Sequence, residues 1–173
     1  MEEKYTLKTI LETLSKTKNG IAKKRLIFDQ APIDGIGVKW VIAFFISLPI
    51  LLYIGIFNPM IFKMLGIAQA IIFFVVFLSM VMIMVTALTF INNNKVLRQI
   101  KPSWDDFFPD VDLKLVLSSG ATPYKNFFKH YSKAVNDGLE DKALYTYLQN
   151  AFEQMKEENS DLLDAMNNAR PSR

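Results

Sequence analysis

Residues 38–57, VKWVIAFFISLPILLYIGIF, and residues 61–91, IFKMLGIAQAIIFFVVFLSMVMIMVTALTFI, decide the reading of this chain. Only Asn58, Pro59 and Met60 separate them. The first run carries one charge, Lys39, at its edge, and the second carries one, Lys63, near its start. A hydrocarbon core ~30 Å thick is crossed by about 20 apolar residues of helix. Each run is long enough, and so short a link returns the second helix beside the first. The expected fold is an all-α membrane protein built on a two-helix transmembrane hairpin, residues 38–91. A polar N-terminal arm, residues 1–37, precedes it, and a small, mainly helical domain, residues 92–173, follows it.

Working outward, the flanks set the expected orientation. Lys23, Lys24 and Arg25 stand before the first run, and Lys95 and Arg98 follow the second, whereas the link region holds only Lys63. Positive residues near span ends favour the cytoplasmic side, so both arms are expected in the cytoplasm, with the anchor in a bacterial inner or plasma membrane. The first 37 residues are polar and hold no short apolar core of the secretory kind. The formal net charge of +3 lacks the dense basic face of a nucleic-acid binder. The chain has no cysteine, so no disulfide framework exists in either compartment.

Inside the runs, Pro49 predicts a kink. The second run would reach about 46 Å as a straight helix, more than a bilayer core requires. Gly66 and Ala70 form a small-xxx-small pair, and Gln69, Ser79 and Thr86 are the polar groups available to it. These five residues are expected to pack helices together, within the hairpin or between copies in a homo-oligomer. Neither run contains an interior Asp, Glu, His or Arg of the kind that marks an ion path. A pore or transport component built by oligomerising the hairpin is the alternative.

The arms carry helical patterns. Leu7, Ile10, Leu11 and Leu14 make an apolar stripe that predicts an amphipathic helix over 4–18, stopped by Asn19-Gly20. That stripe suits either protein or a lipid surface. After the second run the helix is expected to continue to Pro102. The stretch Pro102–Asp112 then reads as an aromatic, acidic loop, and the alternation of Val111, Leu113, Leu115 and Leu117 fits a short strand or a helical turn. Thr122-Pro123 predicts a helix start, with a stop at Gly138. A longer helix from Glu140 carries Leu144, Leu148, Phe152 and Met155, with an interruption at Glu157–Ser160 and frayed residues from Asn167 to Arg173.

Little here points to catalysis. His130 is the only histidine, and no cysteine is available to complete a zinc site with it. Asp105, Asp106, Asp110 and Asp112 lack the glycine-centred spacing of a calcium loop. Neither a phosphate-cradling loop nor a nucleophile elbow is present. No catalytic residue, metal or cofactor is therefore expected. The expectation is a non-enzymatic membrane protein that contacts lipid and a protein partner, and no nucleic acid. Trp104, Phe107 and Phe108 are the candidate contact, since aromatic side chains are favoured interface anchors. An accessory subunit of a secretion- or conjugation-type machine, or an exclusion or immunity factor, would have this architecture.

Overall fold

A computed structural model of the chain describes residues 4–168. It is mostly helical and divides into two compact units. One joins the residues up to Arg25 with those from Arg98 onward, and the other comprises Leu26–Leu97. The N-terminal residues up to Arg25 thus belong to one unit and residues 26–37 to the other.

The first, helical unit begins with α1 (Leu7–Leu14), whose Thr6 cap accepts from the Thr9 amide. Leu7, Ile10, Leu11 and Leu14 are all buried, so the amphipathic stripe faces protein. The predicted helix over 4–18 ends early. Its tail is strand β1 (Ser15–Lys18), paired antiparallel with β2 (Ile21–Lys24), Thr17 opposite Ala22. This hairpin departs from the all-α expectation. Asn19 (φ 52°) and Gly20 (φ 74°) form its two-residue turn, the left-handed pair that matches strand twist. The amide of Ala22 donates to Ser132 Oγ at 2.8 Å, which seats β2 on α5 (Phe127–Asn136).

A Cβ on Gly20 would lie 2.1 Å from Asn136 Oδ1, the movable end of a side chain. The backbone strain, about 1–2 kcal/mol for a non-glycine left-handed residue, is the larger obstacle. Gly20→Ala should therefore lower the unfolding free energy by about that amount, read from chemical denaturation.

The remaining elements close over an aromatic core. They are the end of α3 (Pro59–Phe107), the single turn α4 (Leu113–Val116), α5, α6 (Asp141–Glu158) and α7 (Ser160–Asn168). Helix α3 runs through Pro102 to Phe107, five residues past its expected end. Val96, Ile100, Trp104 and Phe108 recur every fourth residue and are all buried. Burying such side chains contributes about 1.5–3 kcal/mol each, which together offsets the ~3 kcal/mol cost of an internal proline. The short strand considered for 111–117 is the helical turn α4, capped by Asp112 accepting from the Lys114 amide. Thr122 caps a turn rather than α5 itself, accepting from the Tyr124 amide at 3.3 Å. Gly138 (φ 67°) ends α5 as expected, and α6 and α7 part at Asn159. Asn167 and Asn168, expected to fray, are the last residues of α7; the rest of that stretch, 169–173, lies outside the described residues.

The second, apolar unit holds a short 3-10 turn (Ile27–Asp29), α2 (Val38–Ile56) and the greater part of α3. Both helices are long and apolar enough to cross a membrane, and only 6% of either apolar stretch is buried. Helix α2 continues through Pro49. Asn58 accepts from the Met60 amide at 3.0 Å, and Pro59 opens α3, a standard helix start. Tyr53 meets Phe74 edge-on at 6.1 Å, while Asn92 Nδ2 donates to the carbonyl of Gln30 at 3.2 Å. The first contact brings the end of α2 beside α3, and the second ties the segment that precedes α2 to the far end of the apolar stretch of α3. Ala70, Val81, Thr89 and Asn92 are buried along α3, with Phe74, Phe77, Val85 and Leu88 half-buried between them, one continuous helical face.

Within this chain the expected packing set is divided. Gly66 (φ 74°, ψ 163°) breaks the helix, and a Cβ there would meet nothing within 4 Å. It supplies a bend in the backbone of this chain. Gln69 is exposed. Ser79 and Thr86 are exposed as well, and each hydroxyl donates at 2.9 Å to the carbonyl four residues earlier in its own helix. Of the five residues, Ala70 alone is buried.

Candidate functional site

Trp104 and Phe107 lie in the last turn of α3 and Phe108 directly follows it, and the fold separates their roles. Trp104 is fully buried and its Nε1 donates to the carbonyl of Val111 at 2.8 Å. Its ring meets Phe127 and Phe152 edge-on at 6.2 and 6.0 Å. Phe108 is buried against Phe152 at 5.0 Å and Tyr145 at 5.7 Å. These two rings are core, which corrects the expectation of an exposed three-residue contact. The reason is period: 104 and 108 continue the buried face that Val96 and Ile100 begin, whereas 107 falls to its side. Phe107 is half-buried, with its ring 6.1 Å from Tyr145.

Phe107 lines a groove of about 510 Å³ between α1 and α6. Leu7, Leu144 and Tyr145 supply the rest of an apolar floor, and Lys8, Asp141 and Lys142 stand at its rim. The volume falls within the ~300–1,000 Å³ of ordinary binding pockets. A second hollow of about 290 Å³, lined by Glu12, Tyr131 and Leu139 among others, shares Lys8 and Leu144 with the first. Between them Lys8 Nζ meets Glu140 at 2.9 Å. Asp141, at the groove's edge, holds a left-handed backbone (φ 45°), an uncommon conformation for a residue with a side chain.

The hydrogen bond to Glu140, and then its charge, hold Lys8 above the usual lysine range; the reciprocal bond holds Glu140 below the usual carboxylate range. The contribution from Lys8 is full below its unfolded pKa and fades as pH rises through the raised folded value. That from Glu140 is full above its unfolded pKa and fades as pH falls through the lowered one. The strap between the two hollows is therefore intact across the neutral range.

The acidic cluster is dispersed. Asp105 pairs with Lys101 within α3, Asp106 meets Lys4 at 2.9 Å, and Asp112 caps α4. No group of three His, Cys, Asp or Glu suited to a metal occurs among the described residues. His130 is half-buried on α5. Of the basic flank, Lys24 Nζ donates to the carbonyl of Leu117, and Arg25 Nε donates to the carbonyls of Glu12 and Ser15 at 3.1 and 3.0 Å. These two residues help hold the β-hairpin in place. Lys23, Lys95 and Arg98 are exposed.

Sequence reasoning reached Phe107 and missed Leu7, Leu144 and Tyr145 as its companions. The amphipathic stripe named Leu7, and helical spacing named Leu144, but only tertiary packing joins α1 to α6. The chain matches no protein-family model, no curated protein and no solved structure.

Proposed function

We propose that the chain is an integral membrane protein, spanning twice with both termini in the cytoplasm, whose helical unit receives a protein partner in the Phe107 groove. The apolar floor of Phe107, Tyr145, Leu7 and Leu144 beneath a rim of mixed charge carries this reading. Such a floor takes apolar side chains of a protein ligand, and the charged rim sets their orientation. The two lipid-length helices, almost wholly unburied, support the membrane assignment. An exclusion or immunity factor, or an accessory subunit of a secretion- or conjugation-type machine, is a role consistent with an anchor and a docking groove in one chain.

Affinity purification of the tagged chain from its native membrane in mild detergent tests the partner. A stoichiometric companion should be recovered with the wild type and lost at least tenfold with Phe107→Ala or with Lys142→Glu at the rim, while the melting temperature of the rim variant changes little. Recovery of the chain alone as a defined oligomer would favour the pore reading. Orientation has its own test, because the chain has no native cysteine. Single cysteines at Asn58 and Lys114 should react with an impermeant maleimide from opposite sides of the membrane; labelling of both from one side would overturn the topology.

A further inference from the structure

The segment between the β-hairpin and α2, residues 26–37, is irregular yet ordered. Its turns are closed by Asp29 N–H donating to the Leu26 carbonyl at 2.9 Å and Gly35 N–H donating to the Pro32 carbonyl at 3.0 Å. Gln30 is buried, and its carbonyl accepts from Asn92 on α3. Asp34, Gly35 and three large apolar side chains point outward. Leu26 is 72%, Phe28 55% and Ile36 76% exposed, like Phe44 and Ile50 at 60% in the middle of α2. A solvated loop normally turns its polar residues outward; this one turns out an aromatic and two aliphatic side chains.

The bond from Asn92 also fixes the level of the segment. Asn92 follows directly on Ile91, where the apolar surface of α3 gives way to Asn92-Asn93-Asn94 and Lys95. Lys39 and the exposed Trp40 stand at the matching end of α2, a residue pair suited to the boundary between headgroups and acyl chains. Irregular backbone facing lipid is excluded from the hydrocarbon centre, where its free N–H and C=O groups would find no partner, but is satisfied at the headgroup level.

We infer that residues 26–37 form an in-plane membrane anchor, inserting Leu26, Phe28 and Ile36 into the outer few ångströms of the acyl region on the side where α2 begins. This rests on the membrane-spanning reading and adds a third lipid contact to it. Apolar side chains reaching about 5–10 Å into the boundary between headgroups and acyl chains are typical of interfacial anchors.

The test uses the full chain in vesicles of phosphatidylcholine and phosphatidylglycerol, with single spin-labelled cysteines at Phe28, Ile36, Phe73 and Lys114. Collision with oxygen, which partitions into lipid, is compared with collision with a water-soluble nickel chelate. The labels at Phe28 and Ile36 should favour oxygen with a shallow depth, Phe73 should be deep, and Lys114 should favour nickel. Nickel-dominated collisions at Phe28 and Ile36 with Phe73 still deep would overturn the anchor and leave the spans intact. Shielding of both labels from both reagents would replace lipid by protein as the occupant and overturn it equally. A nickel-dominated Phe73 would sink the spanning reading itself.

Discussion

Trp104→Ala should abolish the cooperative unfolding of the helical unit rather than merely weaken a contact. Truncating a buried tryptophan costs about 3–5 kcal/mol. The variant also leaves the Val111 carbonyl without its 2.8 Å donor, an unmade buried bond worth a further ~1–3 kcal/mol. Domain stabilities are about 5–15 kcal/mol, so the sum removes much or all of the margin. Phe127 and Phe152, stacked at 5.2 Å, lose a common neighbour, and α3, α5 and α6 lose the ring that ties them together. Limited proteolysis in detergent, followed across a temperature ramp, should show the unit digested under conditions where the wild type survives. Trp104→Phe, which keeps much of the volume but not the donor, should fall between. A Trp104→Ala protein melting like the wild type would remove this residue from the core and return it to the surface.

The contrast between Trp104 and Phe107 also marks how far the sequence could be read. Local pattern was enough for the buried stripe of α1, the unbroken apolar run of α2, the spacing in α6 and the stop at Gly138, because these signals act within one element. The β-hairpin was legible too: Asn19-Gly20 is the strongest short-range turn signal, and its flanks Ser15–Lys18 and Ile21–Lys24 are short strands. The helical stripe from Leu7 to Leu14 masked it, since a polar run after an amphipathic helix reads as the same helix fading out. Pro102 misled in the opposite direction. A proline inside a helix is a local cost, while the burial of Trp104 and Phe108 that overrides it depends on α5 and α6, which lie far along the chain. The groove was illegible for the same reason, as Leu7 and Leu144 are joined only by packing. Gly66 shows the limit of motif spacing. Small-xxx-small describes a helix surface, and here the glycine supplies a bend in the backbone instead.

Lysine placed at the middle of both apolar helices should produce the second large effect. Among the described residues every exposed large apolar side chain except Ile21 lies in Leu26–Leu97. In water such a surface would bind its own kind, since soluble monomers expose contiguous apolar patches of only a few hundred Å². In lipid it is solvated. Ile46 is near the centre of α2, and the Tyr53–Phe74 contact, extended at equal rise along two antiparallel helices, sets Met80 at about the same depth. Each substitution, Ile46→Lys or Met80→Lys, then moves a charge to the bilayer centre at ~2.5–3.5 kcal/mol on insertion scales. The double variant should fall out of the carbonate-resistant membrane fraction at least tenfold, with Ile21→Lys in the helical unit as the neutral control. The opposite environment gives the opposite sign. At a water-exposed surface the same lysines would change stability by no more than ~0.5 kcal/mol and would raise solubility. A double variant that stayed folded, became more soluble and left the membrane fraction unchanged would show that α2 and α3 meet water or protein where lipid is expected, and the groove on the helical unit would then need a role independent of any anchor.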